Sequence, residues 1–119
     1  MTELAKLFIW QRDNVVVAGV TGELDVSNAA VLENAIAAEL GSEAAGLVLD
    51  FAGLQFIDSS GVHLLFHLWQ RLSMRGRRLA VIAPPGSPAR RVLELSGPEP
   101  ARWIRDSEDE AIAAVLPVR

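Results

Sequence analysis

The side chains best suited to chemistry lie in one short run, FIDSSGV at residues 56–62. The run precedes a helical pattern and follows a strand-like one, and functional groups of α/β sheets collect at the carboxyl ends of strands. A helix N-terminus offers unpaired N–H groups and a positive dipole end, which suit a phosphate. Ser59 or Ser60 is thus well placed to carry a phosphoryl group, adding about −1.5 to −2 charges beside Asp58. Spacing alone favours the simpler interpretation, that Asp58 or Ser59 only caps the helix.

Other combinations of reactive side chains are weaker. His63 and His67 lie four residues apart, a spacing that can bind zinc, but no third ligand is evident and a polar helix face explains both. Asp58, Ser59 and His63 are too close in sequence to form a catalytic triad. The chain has no Gly-rich phosphate loop and no Gly-x-Ser-x-Gly motif. We therefore expect no catalytic residue, no metal, no cofactor and no enzymatic activity.

Two charged clusters are read as solvated surface. Arginines 71, 75, 77 and 78 fall near the end of a predicted helix, where the dipole favours cations. The acidic run at residues 106–110 fits the cap and first turn of a last helix, where the dipole favours acids. Neither cluster predicts a nucleic-acid site.

Composition points to one globular domain, residues 1–119. The net charge is −4, from 15 acidic and 11 basic residues, which argues against a protein that grips nucleic acid. The absence of cysteine excludes disulfides and thiolate metal sites. No signal peptide or membrane-spanning run is evident, so we expect a cytoplasmic protein without direct membrane insertion.

Apolar periodicity predicts a mixed, mostly parallel sheet. Strand patterns at residues 7–11 and 15–20 form a hairpin, and the continuous apolar runs at 46–51 and 79–83 indicate buried parallel strands. A further short strand is predicted at 101–104. Strands that alternate with helices place the chain in the α/β class.

Four helices are predicted between and after these strands. They span residues 28–40, residues 59 to about 75, a segment that starts at Ser87-Pro88, and residues 108–116. Asp25 or Ser27 is expected to cap the first helix, and Gly41 to end it in a left-handed conformation. The apolar face of the second helix is expected to consist of Val62, Leu65, Phe66, Trp69 and Leu72.

Three ordered segments resemble one family. The pieces DF at 50–51 and FIDSSGV at 56–62 are similar to the phosphorylation-site signature of STAS domains, specifically the bacterial anti-sigma factor antagonists. GELD at 22–25 resembles a second motif of this family, and ARRVLELSG at 89–97 resembles its third helix. The resemblance implies a STAS-like mixed, mostly parallel β-sheet with about four helices packed mainly on one side.

The resemblance also implies a function in partner switching. In this family the unphosphorylated antagonist binds an anti-sigma factor that is a serine/threonine kinase, and thereby releases the sigma factor; phosphorylation ejects the antagonist, and a serine phosphatase resets it. The acceptor maps to Ser59, with Asp58, Ser60 and Gly61 shaping the loop and helix start. Glu23 and Asp25 map to a neighbouring acidic surface that contacts the kinase. We expect a monomer.

A second function is compatible with the same fold. STAS domains also serve as soluble accessory subunits of lipid or anion transport systems. A transporter ATPase as partner, instead of a kinase, would favour that alternative.

Overall fold

A mixed sheet flanked by helices makes up residues 5–117, the part of the chain that the computed structural model describes. Its six strands and five helices have the following bounds in chain order: β1 (Ala5–Arg12), β2 (Val15–Leu24), α1 (Ala29–Glu39), β3 (Gly46–Asp50), β4 (Leu54–Ile57), α2 (Ser59–Ser73), β5 (Arg78–Ile82), α3 (Pro88–Leu95), α4 (Pro98–Trp103), β6 (Ile104–Arg105) and α5 (Glu108–Val115).

Strands β1 and β2 form the predicted hairpin. They pair antiparallel from Arg12↔Val15 to Ala5↔Gly22. The turn residues Asp13 and Asn14 have φ values of 53° and 65°. Aspartate and asparagine tolerate the left-handed region, and two such residues match the twist of a tight hairpin.

Strand β2 is longer than predicted and serves two neighbours. Its first half pairs parallel with β3 through residues 15–19, and its last residues pair parallel with β4 through residues 22–24. Strand β4 was not predicted; it lies between β3 and α2, and the run at 56–62 begins with its last two residues. The second pairing brings the end of β4 beside the end of β2.

The sheet is mostly parallel, as predicted. The order is β1-β2-β3-β5-β6, with β4 beside β2, and only the β1–β2 pair is antiparallel. Helices α1, α2 and α3 contribute to the larger core cluster on one face, whereas α5 packs against the other face at Val48, Ala80 and neighbouring residues. The helices therefore lie mainly on one side, but they number five among residues 5–117 instead of about four.

The extra helix replaces most of a predicted strand. Residues 98–103 form α4, and only Ile104 and Arg105 form a strand. Pro98 occupies the first turn of α4, where the missing N–H costs nothing because the first helical N–H groups have no partner in the helix. The prediction of a strand at 101–104 was therefore wrong for its first three residues.

Helix α2 buries the predicted face only in part, and its buried stripe is wider than predicted. The predicted Val62, Leu65 and Leu72 are buried, and Gly61, Leu64 and Leu68 are buried beside them. Phe66 and Trp69 are only half-buried and instead form an aromatic cluster with Trp103, with centroid separations of 5.2 Å and 6.1 Å. The buried stripe is wider because α2 packs against α1 as well as the sheet.

The ends of α1 also differ from the prediction. Asn28 is the N-cap residue, in place of Asp25 or Ser27, and its side chain makes no capping bond. Gly41 is not among the glycines with positive φ. No helix within residues 5–117 is long and apolar enough to cross a membrane.

Candidate functional site

The ends of β2 and β4 bring the predicted acidic surface next to the predicted acceptor. Glu23 pairs with Phe56 and Leu24 with Ile57 in the parallel ladder. The backbone N–H of Asp58 then donates to the Leu24 carbonyl at 3.2 Å. The start of α2 is thus fixed to the end of β2, which carries Glu23.

Asp58 caps helix α2. Its backbone is extended, and its Oδ1 accepts from the N–H of Ser60 at 2.8 Å and from the N–H of Gly61 at 3.4 Å. The sequence suggested that free N–H groups here would receive a phosphate, but these two are already bonded to a carboxylate. A phosphate on Ser59 would therefore face Asp58 without these two donors.

Ser59 and Ser60 differ in accessibility. Ser59 is the first residue of α2 and is exposed, whereas Ser60 is half-buried. No hydrogen bond to the Ser59 hydroxyl is found among residues 5–117. Ser59 is the more accessible acceptor.

Gly61 allows α2 to approach the strands closely. It is buried, and a Cβ atom at this position would lie 2.6 Å from Ile57 Cγ1 and 3.0 Å from Leu24 Cδ2. The first distance is shorter than real carbon–carbon contacts, and the second is tighter than most of them. Gly61 therefore holds the helix start against the ends of β2 and β4.

Asp25 is engaged within its own loop. Its Oδ1 accepts from the backbone N–H of Ser27 at 2.9 Å and from the Ser27 hydroxyl at 2.5 Å. Asn28 closes the loop, since its side chain accepts from the Asp25 N–H and donates to the Glu23 carbonyl. Asp25 thus shapes the loop, while Glu23 is exposed.

An apolar groove borders Ser59. It has a volume of about 290 Å³ and lies between the start of α2 and the end of α3; the residues that line it are Asp58, Ser59, Val62, His63, Val92, Leu95 and Ser96. Leu95 is 79% exposed, although it is a large apolar residue. The described residues that line the groove include no lysine or arginine. We call this the Ser59 groove.

The α3 side of the Ser59 groove was not predicted as part of a site. A signal was present in the sequence, because Leu95 lies two residues from the buried Leu93 and so falls off the inward stripe of α3. What the sequence could not reveal is that α3 packs beside β4. That contact places Leu95 near Ser59.

The two histidines of α2 do not come together as ligands. His67 Nδ1 lies 2.9 Å from Glu33 Oε1 on α1, whereas His63 lines the Ser59 groove. No group of three histidine, aspartate or glutamate side chains within residues 5–117 could hold a metal ion.

The fold and this site define a class of protein. The STAS domain family model matches residues 9–111, and the chain belongs to the STAS domain family. It therefore shares the fold of anti-sigma factor antagonists, as the solved structures show.

Two similar proteins of known structure are anti-sigma factor antagonists. The one from Mycobacterium paratuberculosis is 28% identical with a TM-score of 0.81, and the match covers 93% of each chain. SpoIIAA in its unphosphorylated form is 26% identical with a TM-score of 0.76, covering 92% of this chain and 95% of that one. The phosphorylated form of Bacillus SpoIIAA, described as a cell fate determinant, is 26% identical with a TM-score of 0.70, covering 92% and 98%.

The same fold occurs in a transporter. Murine Slc26a9, an anion transporter, matches at 17% identity and a TM-score of 0.70, over 88% of this chain and 18% of the transporter. This likeness concerns the fold alone.

Proposed function

We propose that this protein is an anti-sigma factor antagonist that is switched off by phosphorylation of Ser59. The observation that carries the proposal is the position of Ser59, exposed at the first residue of α2 on the edge of an apolar groove. SpoIIAA, a relative of the same fold, has been solved in unphosphorylated and phosphorylated forms. In this proposal the chain is a ligand and a substrate, not an enzyme.

The unphosphorylated surface suits a partner with an apolar contact. Leu95 and Val92 provide apolar area in the Ser59 groove, and the exposed Glu23 lies at the end of β2, which pairs with β4 just before Ser59. Apolar area that leaves water on docking supplies affinity, and a charge at the rim orients the partner. The proposed partner is an anti-sigma factor with serine/threonine kinase activity.

Phosphorylation would oppose this docking by electrostatics. The kinase transfers the γ-phosphoryl group of ATP to Ser59 Oγ, which releases ADP and the hydroxyl proton; the phosphate then stands beside Asp58. Because no lysine or arginine lines the described part of the Ser59 groove, the dianion has no cation there to offset its desolvation. A loss of about 3 kcal/mol would weaken binding by about two orders of magnitude.

The remaining predicted site residues have supporting roles in this proposal. Asp58, Ser60 and Gly61 fix the start of α2, and Asp25 fixes the loop that follows Glu23. A serine phosphatase would hydrolyse the phosphoserine, restoring the hydroxyl and releasing inorganic phosphate.

Affinity capture from the source cell tests the proposal directly. The baits are the wild-type chain, Ser59→Ala, Ser59→Asp and the control Ser60→Asp, and mass spectrometry identifies what each retains. We expect a kinase-type anti-sigma factor on the wild type and Ser59→Ala, and its loss on Ser59→Asp. Phosphate labelling by the captured kinase should disappear in Ser59→Ala and persist in Ser60→Ala; the reverse would move the acceptor to Ser60.

One result would favour a different function. Transporter subunits retained equally by all baits would indicate an accessory subunit of a lipid or anion transport system, a function compatible with a fold that also occurs in Slc26a9. Retention that does not change with the residue at position 59 would contradict the phosphorylation switch.

A further inference from the structure

Four arginines line a second groove, near the C-terminal end of α2. The groove has a volume of about 310 Å³, and its lining comprises Arg77, Arg78, Arg102, Arg105, Glu99, Ser73, Trp69, Leu79, Trp103 and Ala114. We call it the arginine groove. Ser59 stands at the other end of α2, whose 15 residues span about 22 Å. The two grooves are therefore separate sites.

The arginine groove carries a concentrated positive charge. Its only carboxylate among the described lining residues is Glu99, which bonds Arg102 at 3.3 Å. Counting Arg77, whose guanidinium reaches Ser42 outside the groove, four positive charges against one negative charge give a local net charge of +3, in a chain whose net charge is −4. Like charges that converge without counter-charges repel one another, so the groove is poised for an anion.

Two of the guanidinium groups are held in place by neutral partners. Arg77 Nη2 donates to the Ser42 carbonyl at 2.7 Å. Arg105 Nη1 donates to the carbonyls of Arg102 and Ile104 at 2.9 Å and 2.7 Å. These bonds orient the side chains without neutralising them, and an oriented guanidinium loses less entropy when it binds an anion. Arg78 makes no side-chain hydrogen bond or ion pair within residues 5–117.

The shape of the arginine groove selects a compact ligand. Strand β6 pairs only with Val81 and Ile82, so the first part of β5 has no strand beside it on this edge. A peptide could not add there as a strand, because Ala80 is only 1% exposed and closes the edge. The groove's volume of about 310 Å³ is larger than a single phosphate ion fills.

We propose that the arginine groove binds a small anion that bears a diphosphate group. Guanidinium groups bind phosphate oxygens through paired N–H donors, and several of them lining one groove can bind adjacent phosphates, which a single carboxylate does not offer. This inference does not depend on Ser59 or on the proposed partner switch.

Isothermal titration calorimetry of the full chain with inorganic diphosphate tests the site. We expect saturable binding that Arg78→Gln weakens at least tenfold and that Arg78→Gln/Arg105→Gln abolishes. The matched control is Arg91→Gln, which removes an exposed arginine of α3 outside the groove and should leave the affinity unchanged. No binding by the wild type, or an equal loss in the control, would overturn the proposal and leave four solvated arginines.

Further ligands identify the source of the diphosphate. Inorganic phosphate should bind at least tenfold more weakly than diphosphate, and equal affinities would contradict a diphosphate site. ADP carries the same group on a nucleoside. If ADP binds more tightly than free diphosphate, the site is assigned to nucleotides. If the two bind equally, only the diphosphate group is recognised. Thermal unfolding checks folding independently, because Arg78 makes no side-chain bond to any other residue of the range 5–117 and its replacement should leave the midpoint without ligand unchanged.

Discussion

Replacement of Asp58 separates its role as a helix cap from its negative charge beside Ser59. Asp58→Ala removes the side-chain acceptor of the Ser60 and Gly61 N–H groups and leaves Gly61 only the Asp58 carbonyl; loss of such a cap costs about 1 kcal/mol. It also removes a carboxylate from the positive end of α2, which adds about 0.5 kcal/mol. Asp58→Asn keeps an acceptor oxygen in the same place, so it should lose only the second contribution.

Thermal unfolding followed by circular dichroism measures both effects. For a chain of 119 residues the unfolding entropy is about 250 cal/mol/K, so 1 kcal/mol lowers the midpoint by about 4 °C. We therefore expect a fall of about 6 °C for Asp58→Ala and about 2 °C for Asp58→Asn. Equal falls in the two variants would refute the assignment of Asp58 as the cap.

A double-mutant cycle then measures the repulsion that a phosphate would meet. Ser59→Asp places a second carboxylate next to Asp58, and their repulsion opposes the favourable interaction of a carboxylate with the positive end of α2. In the Asp58→Asn background the same change should therefore give a higher midpoint relative to its parent, and the difference is the coupling between the two positions. If the two changes in the midpoint add exactly, the charge at position 59 does not interact with Asp58.

Three further replacements test the packing and docking roles. Gly61→Ala should lower stability by about 1 kcal/mol in urea unfolding, because overpacking against an isoleucine side chain 2.6 Å away outweighs the gain in helix propensity. The control Gly41→Ala places its methyl group in open space and should change the stability by less than about 0.5 kcal/mol. Asp25→Ala should lower stability by about 1 kcal/mol through its lost loop bonds, and an unchanged midpoint would make it a docking residue only. Leu95→Ser should weaken kinase capture without changing stability, whereas Met74→Ser, at an 89% exposed residue that follows the C-terminal end of α2, should change neither.

Elements with strong local patterns were predictable from the sequence. The apolar runs that became β3 and β5 and the hairpin of β1 and β2 needed only residue type and turn chemistry. Strand β4 was missed because its four residues stand apart from those runs, and its pairing with β2 is a non-local contact. Helix α4 was missed because Pro98 and Pro100 suggest a loop unless both fall in the first turn of a helix.

The candidate site was predictable in its residue types but not in its bonding. Sequence places an aspartate and two serines at a helix start, yet only coordinates show that the Asp58 carboxylate occupies the Ser60 and Gly61 N–H groups. Likewise Asp25 and Glu23 are equivalent as acidic residues, but Asp25 is bonded within its loop and Glu23 is exposed. Such differences depend on side-chain orientation, which a pattern of residue types does not contain.

The occupied helix start determines how a phosphate on Ser59 could act. If the Ser60 and Gly61 N–H groups were free, the phosphate could bind them and alter α2 itself. Because Asp58 holds those donors and the described lining of the Ser59 groove offers no arginine or lysine, a phosphate would remain solvated at the surface. Its main effect would then be on the free energy of binding to a partner that must desolvate it, so a phosphorylated chain should keep its fold and lose its partner. A large change in the amide spectrum of α2 on phosphorylation, measured by NMR beyond the first turn, would contradict this reasoning.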